Sequence, residues 1–145
     1  MDFKRIVLAG LAAGIAAFIV GSMLYMNPLV AGIYAQGDWP GAKPMDDFGG
    51  VGNWMLLMFA GGLAAALLIG IFYSYTEKAL DIKPAWRKGA LFGFLFWLAT
   101  APQVHYNIWL MYKVPDIINI IELFNGLVGS LTLGIVLAVV YEKMR

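Results

Sequence analysis

The chain has 145 residues, of which 61% are hydrophobic and only 13% are charged, with a formal net charge of +1 and a mean hydropathy of +0.77. A soluble domain has about 25% charged residues, so this composition excludes an ordinary water-soluble globule. The absence of cysteine excludes disulfides, thiolate metal sites and cysteine nucleophiles, and no basic cluster indicates a nucleic-acid partner. The length and composition predict one domain over residues 1–145 that is integral to a lipid bilayer.

Four apolar stretches are long enough to cross a bilayer, which takes about 20 helical residues. They cover approximately residues 6–26, 51–73, 89–112 and 117–140. The first follows Lys4 and Arg5, as in a signal peptide, but it is longer than a signal region of about 7–15 apolar residues and no clear cleavage site follows it. We therefore expect an all-α fold with four transmembrane helices in a bundle.

The basic residues are divided unequally between the two sides of these spans. Eight of them lie on one side: before the first span, between the second and third spans, or at the end of the chain. They are Lys4, Arg5, Lys78, Lys83, Arg87, Lys88, Lys143 and Arg145. Only Lys43 and Lys113 fall in the other connections. Because cytoplasmic loops are enriched in Lys and Arg, the pattern predicts a multi-pass protein of the cell (inner) membrane with both termini in the cytoplasm.

Three prolines mark expected starts of structure in the connections. Asn27 can cap a short helix at the outer interface, and Pro28 suits its first position. The segment "QGDWPGAKPMDDFGG" that follows is expected to be irregular. Pro84 predicts a turn before the third span, and Pro115 suits the first position of the fourth.

The two halves of the chain resemble each other. "FKRIVLAG" at Phe3–Gly10 matches "WRKGALFG" at Trp86–Gly93, and "MFAGGLAAALLIGIFYSYTEK" parallels "LFNGLVGSLTLGIVLAVVYEK". A duplication would give two parallel hairpins related by an axis along the membrane normal. The alternative is that apolar helices with basic inner ends resemble one another without common origin.

Small residues recur at helical spacing in every span. Gly10 and Gly14 form one GxxxG step, and Gly89 and Gly93 form another. In lipid, such residues let helix backbones approach closely. Their presence in all four spans favours packing within one chain over a face for a homo-oligomer, which stays open as the alternative.

The polar residues of the spans concentrate in their outer halves, where we expect His105 and Glu122 to pair. Each lies roughly 12 Å along its helix from a hairpin centre at Lys113 and Val114, so the two should be level on adjacent helices. An unpaired carboxylate costs several kcal/mol in hydrocarbon, which makes His105 the expected partner. The pair is either a ligand or proton site in an outward-facing pocket or a structural lock of the hairpin.

The candidate site contains further polar side chains on the same outer side. Its expected members are Tyr25, Gln103, His105, Tyr106, Asn119, Glu122 and Asn125. One histidine and no cysteine cannot complete a bis-histidine haem or a closed zinc site, so no metal and no cofactor is expected.

The segment "MLYMNPLVAGIY" at the end of the first span resembles an uncharacterised family, a domain of unknown function, of small four-helix prokaryotic membrane proteins. In that family a Tyr-x-x-Pro-Leu segment ends helix one, and Tyr25, Pro28 and Leu29 match it here. Met23 and Leu24 stand where the family has an aromatic residue. The resemblance implies the four-helix fold and the membrane location, and it brings no activity.

Three classes of function follow from these observations. The first is transport, or binding of a solute or ion, through an outward-facing polar pocket. The second is an accessory or assembly subunit of a larger membrane complex, in which the small-residue faces contact partners. The third is an intramembrane enzyme on a lipid-like substrate with His105 as general base, and it is the least favoured.

Overall fold

The computed structural model describes residues 2–35 and 43–144, and its secondary structure is helical throughout. In chain order the elements are α1 (Phe3–Tyr25), α2 (Pro28–Tyr34), a 3₁₀ helix (Met45–Phe48), α3 (Val51–Thr76), α4 (Ala85–Met111) and α5 (Asp116–Lys143). Within the described residues, α1, α3 and α5 are long and apolar enough to span a membrane, with mean hydropathies of 2.3, 2.4 and 2.2. The bounds of the four long helices agree with those of the predicted spans to within four residues at each end, and α4 is not among the three candidate spans.

The four long helices pack in the row α3–α1–α5–α4. Each neighbour in this row runs antiparallel to the next, so the bundle has two distinct ends. The terminal end holds the two chain termini and the α3–α4 connection. The distal end holds α2, the 3₁₀ helix and the connection between α4 and α5.

The buried core lies towards the terminal end. Ile6, Tyr73 and Leu137 are its largest fully buried side chains. Basic side chains close this end of the bundle. The Arg5 guanidinium donates to the Tyr141 carbonyl, with Nη2 and O 2.7 Å apart, and Lys88 Nζ lies 3.1 Å from Glu142 Oε1 in a largely buried ion pair.

Glycines set the closest helix contacts in the structure. A Cβ added at Gly89 would lie 2.3 Å from the Gly134 carbonyl oxygen, and one at Gly93 would lie 2.2 Å from the Ser130 carbonyl oxygen. Gly10 and Gly14 pack less tightly against α3, where an added Cβ would lie 3.1 Å and 2.9 Å from the side chains of Leu67 and Leu63. Both GxxxG steps therefore pack helices within the chain, as the sequence predicts.

The α1–α3 and α4–α5 hairpins pack at corresponding positions. The Ile6 carbonyl of α1 faces Gly70 of α3, and the Gly89 carbonyl of α4 faces Gly134 of α5. Ile6 and Gly89 are equivalent in the two matched sequence segments, and Gly70 aligns one residue away from Gly134. The two hairpins therefore share one packing register to within a residue.

The two hairpins do not, however, close a symmetric bundle. A two-fold arrangement would repeat the α1–α5 packing between α4 and α3. The α4 residues equivalent to the fully buried Ala9 and Ala13 of α1 are Phe92 and Phe96. Phe92 reaches Tyr73 of α3 through ring centroids 5.0 Å apart, and an apolar groove of about 490 Å³ remains between α3 and α4. Larger side chains on α4 thus hold α3 and α4 apart.

The connections follow the predicted prolines. The short helix α2 begins at Pro28, and the Asn27 side chain caps it by accepting from the Leu29 amide at 2.9 Å, which confirms the prediction. Pro84 and Pro115 lie at the cap positions that precede α4 and α5. In the segment expected to be irregular, residues 36–42 lie outside the described residues, and Met45–Phe48 forms the 3₁₀ helix.

Candidate carboxylate site at the distal end of the bundle

Three helices meet at the side chain of Glu122. Its two carboxylate oxygens accept hydrogen bonds from the hydroxyls of Tyr25 and Tyr34. Tyr25 is the last residue of α1, Tyr34 is the last residue of α2, and Glu122 lies in the second turn of α5. The carboxylate therefore ties α1 and α2 to α5.

The break between α1 and α2 brings the second tyrosine back to this carboxylate. Helix α1 ends where the Met26 amide donates to the Ser22 carbonyl, and Asn27 takes an extended conformation before α2 begins. The Tyr25 and Tyr34 rings then lie edge to face, with centroids 6.0 Å apart and planes at 70°. Two nearly perpendicular aromatic rings thus flank one carboxylate.

Within residues 2–35 and 43–144, no basic side chain forms an ion pair with Glu122. Its partners among the described residues are the two phenol hydroxyls, and the segment 36–42 contains no Lys, Arg or His. Burial, followed by the hydrogen bond to Glu122 and its charge, raises the pKa of Tyr34 above its usual range. Tyr34 therefore keeps its proton and acts as a neutral hydrogen-bond donor to Glu122.

Asn125 lies one turn further along α5, beside the Tyr25 hydroxyl. Its amide nitrogen is buried and makes no hydrogen bond of normal geometry to any described residue. A buried donor without a partner is uncommon, because it loses its hydration without replacement. This nitrogen is available to a further acceptor at the site, such as a water or a ligand oxygen.

His105 bonds to Asn119 rather than to Glu122. His105 Nδ1 lies 2.7 Å from Asn119 Oδ1, and Asn119 Nδ2 donates to the His105 carbonyl oxygen at 2.9 Å. The two contacts close a ring of hydrogen bonds between α4 and α5. The predicted direct pairing of His105 with Glu122 is therefore wrong.

The error comes from the register of the α4–α5 hairpin. The prediction assumed symmetry about Lys113 and Val114, which would place His105 level with Glu122. Tyr112 and Pro115 are extended, with ψ of 146° and 136°, and His105 is level with Asn119 instead. Asn119 precedes Glu122 by three residues, which is just under one helical turn.

The remaining predicted residues divide into two groups. Tyr25 and Asn125 belong to the Glu122 cluster, and Asn119 and His105 lie one turn closer to the distal end. Gln103 bonds instead to Asn107, at 3.3 Å on an exposed surface. Tyr106 is 57% exposed and pairs with Trp109. The structure therefore does not bring Gln103 or Tyr106 into the cluster.

Sequence reasoning missed Tyr34, which is not among the predicted members of the site. The signal that would have found it is the helix break itself. Once α2 starts at Pro28, its seven residues end at Tyr34, on a segment that must return towards the bundle. A second phenol near Tyr25 was therefore foreseeable, whereas its bond to Glu122 depends on the direction in which α2 folds.

The apolar groove between α3 and α4 lies away from the Glu122 cluster. The 490 Å³ groove is lined mainly by apolar side chains of α3 and α4, including Phe72, Phe92 and Phe96. At the Glu122 cluster, each carboxylate oxygen accepts from one tyrosine hydroxyl, and the Tyr25 side chain is 40% exposed. Within residues 2–35 and 43–144, no three His, Asp or Glu side chains come together as a set of metal ligands.

No family model, curated protein or solved structure matches this chain. The fold and the site alone define its class. It is an all-helical protein in which three helices are long and apolar enough to span a membrane, with one carboxylate held by two tyrosines where three helices meet.

Proposed function

We propose that the protein is a small polytopic membrane protein that binds a cationic solute or ion at Glu122 and serves in its transport or binding. The observation that carries this proposal is a carboxylate that has two neutral hydroxyl partners and no basic partner in the part of the chain that the structure describes. An uncompensated charge in a membrane protein is costly and typically marks an ion or substrate site. A cation at Glu122 supplies the missing charge.

The location of the site supports binding from outside the cell. Helix α4, the proposed fourth span, has 27 residues, which is about 40 Å at 1.5 Å per residue, and it packs along α5. The basic residues at the terminal end favour a cytoplasmic location of that end. The distal end with Glu122 then faces outwards, in the cell (inner) membrane. The shared register of the two hairpins supports a parallel repeat.

The aromatic rings suit a cation as well. The face of a tyrosine ring attracts a cation through its quadrupole, and two rings at 70° present two such faces beside the carboxylate. The Tyr25-x-x-Pro28-Leu29 segment, which carries the family resemblance, helps to build this arrangement. Tyr25 donates to Glu122, and Pro28 starts the helix that returns Tyr34.

Thermal unfolding in the presence of defined cations tests the proposal. The probes are sodium, potassium, methylammonium and tetramethylammonium chlorides, added to the protein in lipid nanodiscs at constant ionic strength. A ligand at about 100 times its Kd stabilises the folded state by about 2.7 kcal/mol. We expect one probe to stabilise the wild type and not Glu122→Gln.

Asp116→Asn is the matched control, because it removes a carboxylate from the exposed start of the same helix and leaves the Glu122 contacts in place. Stabilisation of Asp116→Asn should equal that of the wild type. Equal stabilisation of wild type and Glu122→Gln by every probe would refute a cation site at Glu122.

A second function, as an accessory subunit of a larger membrane complex, is favoured by the surface of α3. Of its 26 residues, only Ala66, Gly70 and Tyr73 are buried. Gly61 and Gly62 have open space where a side chain would project, and small residues of this kind suit a partner helix. Co-purification of a stoichiometric partner from native membranes, lost on Gly61→Leu, would support this function over the first.

A further inference from the structure

The apolar groove between α3 and α4 offers a hydrocarbon surface to a ligand. Its volume of about 490 Å³ lies within the range of roughly 300–1,000 Å³ that is usual for small-molecule sites. The half-exposed side chains of Phe72 and Leu95 form part of its walls. The hydroxyls of Thr76 and Thr100 donate to carbonyls of their own helices, at 3.2 Å and 2.8 Å. The groove therefore suits an apolar ligand.

The groove has the length of one bilayer leaflet. Its α4 wall ends at Thr100, and the predicted third span begins at Gly89, three residues after the half-exposed Trp86. Thr100 follows Gly89 by eleven positions, which is about 17 Å along a helix. A leaflet contributes half of a hydrocarbon core of about 30 Å. In the proposed bilayer placement, the groove thus reaches from the surface at the terminal end to about the midplane.

This size favours a lipid chain over a partner helix. A spanning helix about 30 Å long and 10 Å wide fills roughly 2,400 Å³, which is about five times the volume of the groove. An acyl chain of one leaflet matches the groove in both length and chemistry.

Exposed basic side chains lie where the groove meets the terminal end. Residues 79–80 of the α3–α4 connection line the groove. The exposed charged side chains of residues 77–87 are Lys78, Asp81, Lys83 and Arg87. Three of these four are basic, and Lys78 and Lys83 flank the lining residues in the same connection. Basic pockets between helices on the cytoplasmic side suit the phosphate of an anionic lipid.

We propose that the groove binds one anionic phospholipid of the leaflet at the terminal end. An acyl chain lies between α3 and α4, and the phosphate lies at Lys78 and Lys83. The chain covers the apolar walls of the groove, and the lysines compensate the charge of the phosphate. The lipid site depends on the proposed bilayer placement and is independent of the cation site at Glu122.

Native mass spectrometry of the full chain in detergent counts bound lipids and measures their dissociation constants. The probes are palmitoyl-oleoyl phosphatidylglycerol and palmitoyl-oleoyl phosphatidylcholine, which share their acyl chains and differ in headgroup charge. We expect one phosphatidylglycerol per chain, bound about 25-fold more tightly than phosphatidylcholine, or about five-fold for each of the two lysines. Equal affinity for the two lipids would overturn the proposal.

Two substitutions on α4 test the groove itself. Leu95 lines the groove and is 45% exposed, whereas the 51% exposed Leu98 is outside the lining. Leu95→Trp should weaken phosphatidylglycerol binding about ten-fold, because the indole displaces about two methylene groups of the lipid. Leu98→Trp adds the same bulk and should keep the wild-type affinity. Equal affinities in the two variants would overturn the proposal.

Paired lysine variants test the headgroup contact. Lys78→Gln combined with Lys83→Gln should lower the affinity for phosphatidylglycerol to that for phosphatidylcholine. Lys4→Gln combined with Lys143→Gln removes the same charge from exposed positions at the same end and should keep the wild-type affinity. An equal loss in both combinations would show attraction to the whole basic surface and overturn a site at the groove.

The same spectra distinguish a second copy of the chain as the occupant. A dimer that Leu95→Trp disrupts and Leu98→Trp does not would overturn the lipid proposal. Glu122→Gln should bind phosphatidylglycerol as the wild type does. Failure of lipid binding would therefore leave the cation site standing, and failure of cation binding would leave the lipid site standing.

Discussion

The contact between α4 and α5 predicts a large difference between two glycine-to-alanine substitutions on the same helix. A Cβ at Gly134 would lie 2.3 Å from the Gly89 carbonyl oxygen, 2.8 Å from the Gly93 nitrogen and 2.9 Å from the Gly93 Cα. All three atoms are backbone, so no side chain can rotate away. Because van der Waals contact requires about 3.5 Å between carbon atoms, α4 must move by roughly 1 Å.

We expect Gly134→Ala to destabilise the protein by about 1–3 kcal/mol, the usual cost of overpacking a well-packed contact. The higher helix propensity of alanine offsets up to about 1 kcal/mol of this. Gly129→Ala is the matched control, because an added Cβ there meets nothing within 4 Å. The free energy of unfolding of Gly129→Ala should equal that of the wild type or exceed it by up to about 1 kcal/mol.

The free energy of unfolding can be measured by titration with sodium dodecyl sulfate in mixed micelles, followed by tryptophan fluorescence. Both variants should reach the same unfolded baseline as the wild type, so that only the midpoints differ. Equal midpoints for Gly134→Ala and Gly129→Ala would refute the close approach of α4 and α5.

Three further predictions concern topology, the terminal end and the hairpin. A cysteine at Gly41 should react with an impermeant thiol reagent added to intact cells and a cysteine at Lys83 should not; labelling of Lys83 alone would invert the topology. Lys88→Met leaves the largely buried Glu142 without its cation, so the free energy of unfolding should fall by about 1–3 kcal/mol, between the values for exposed and buried ion pairs. Adding Glu142→Gln to Lys88→Met should restore part of this free energy. Equal free energies of unfolding for Lys88→Met and wild type would contradict the prediction. Trp97→Phe removes the 3.1 Å hydrogen bond from the indole nitrogen to the Leu123 carbonyl of α5. The free energy of unfolding, measured by the same detergent titration, should fall by about 1 kcal/mol. An unchanged free energy of unfolding would contradict a stabilising role of this bond.

The sequence predicts the helices well because their signals are local. Four long apolar runs locate the four long helices, and Asn27 followed by Pro28 locates the start of α2 without any tertiary information. The glycines also indicated close packing within the chain. The sequence does not show which glycines come closest to another helix: an added Cβ at Gly126 would lie 3.8 Å from the Trp97 side chain, whereas one at Gly134 would lie 2.3 Å from the Gly89 carbonyl oxygen.

The composition of the site was harder to predict because it depends on register and on chain direction. The predicted register of the hairpin was wrong by three residues. It therefore gave Glu122 as the partner of His105, whereas the partner in the structure is Asn119. An acid among Ile, Leu and Phe requires a partner, and the structure gives Glu122 two tyrosine hydroxyls. The partner from α2 depends on how the chain turns after Met26, and no local pattern specifies that turn.

The central claim is that Glu122 binds a cation from the outer side, and charge movement measures it most directly. Wild-type protein, Glu122→Gln and Asp116→Asn are reconstituted at equal density in proteoliposomes on a solid-supported membrane. A rapid concentration jump of the cation that stabilises the wild type, at constant ionic strength, should give a current in the wild type and in Asp116→Asn. Glu122→Gln should give none. A current of equal size and saturation in Glu122→Gln would contradict the account.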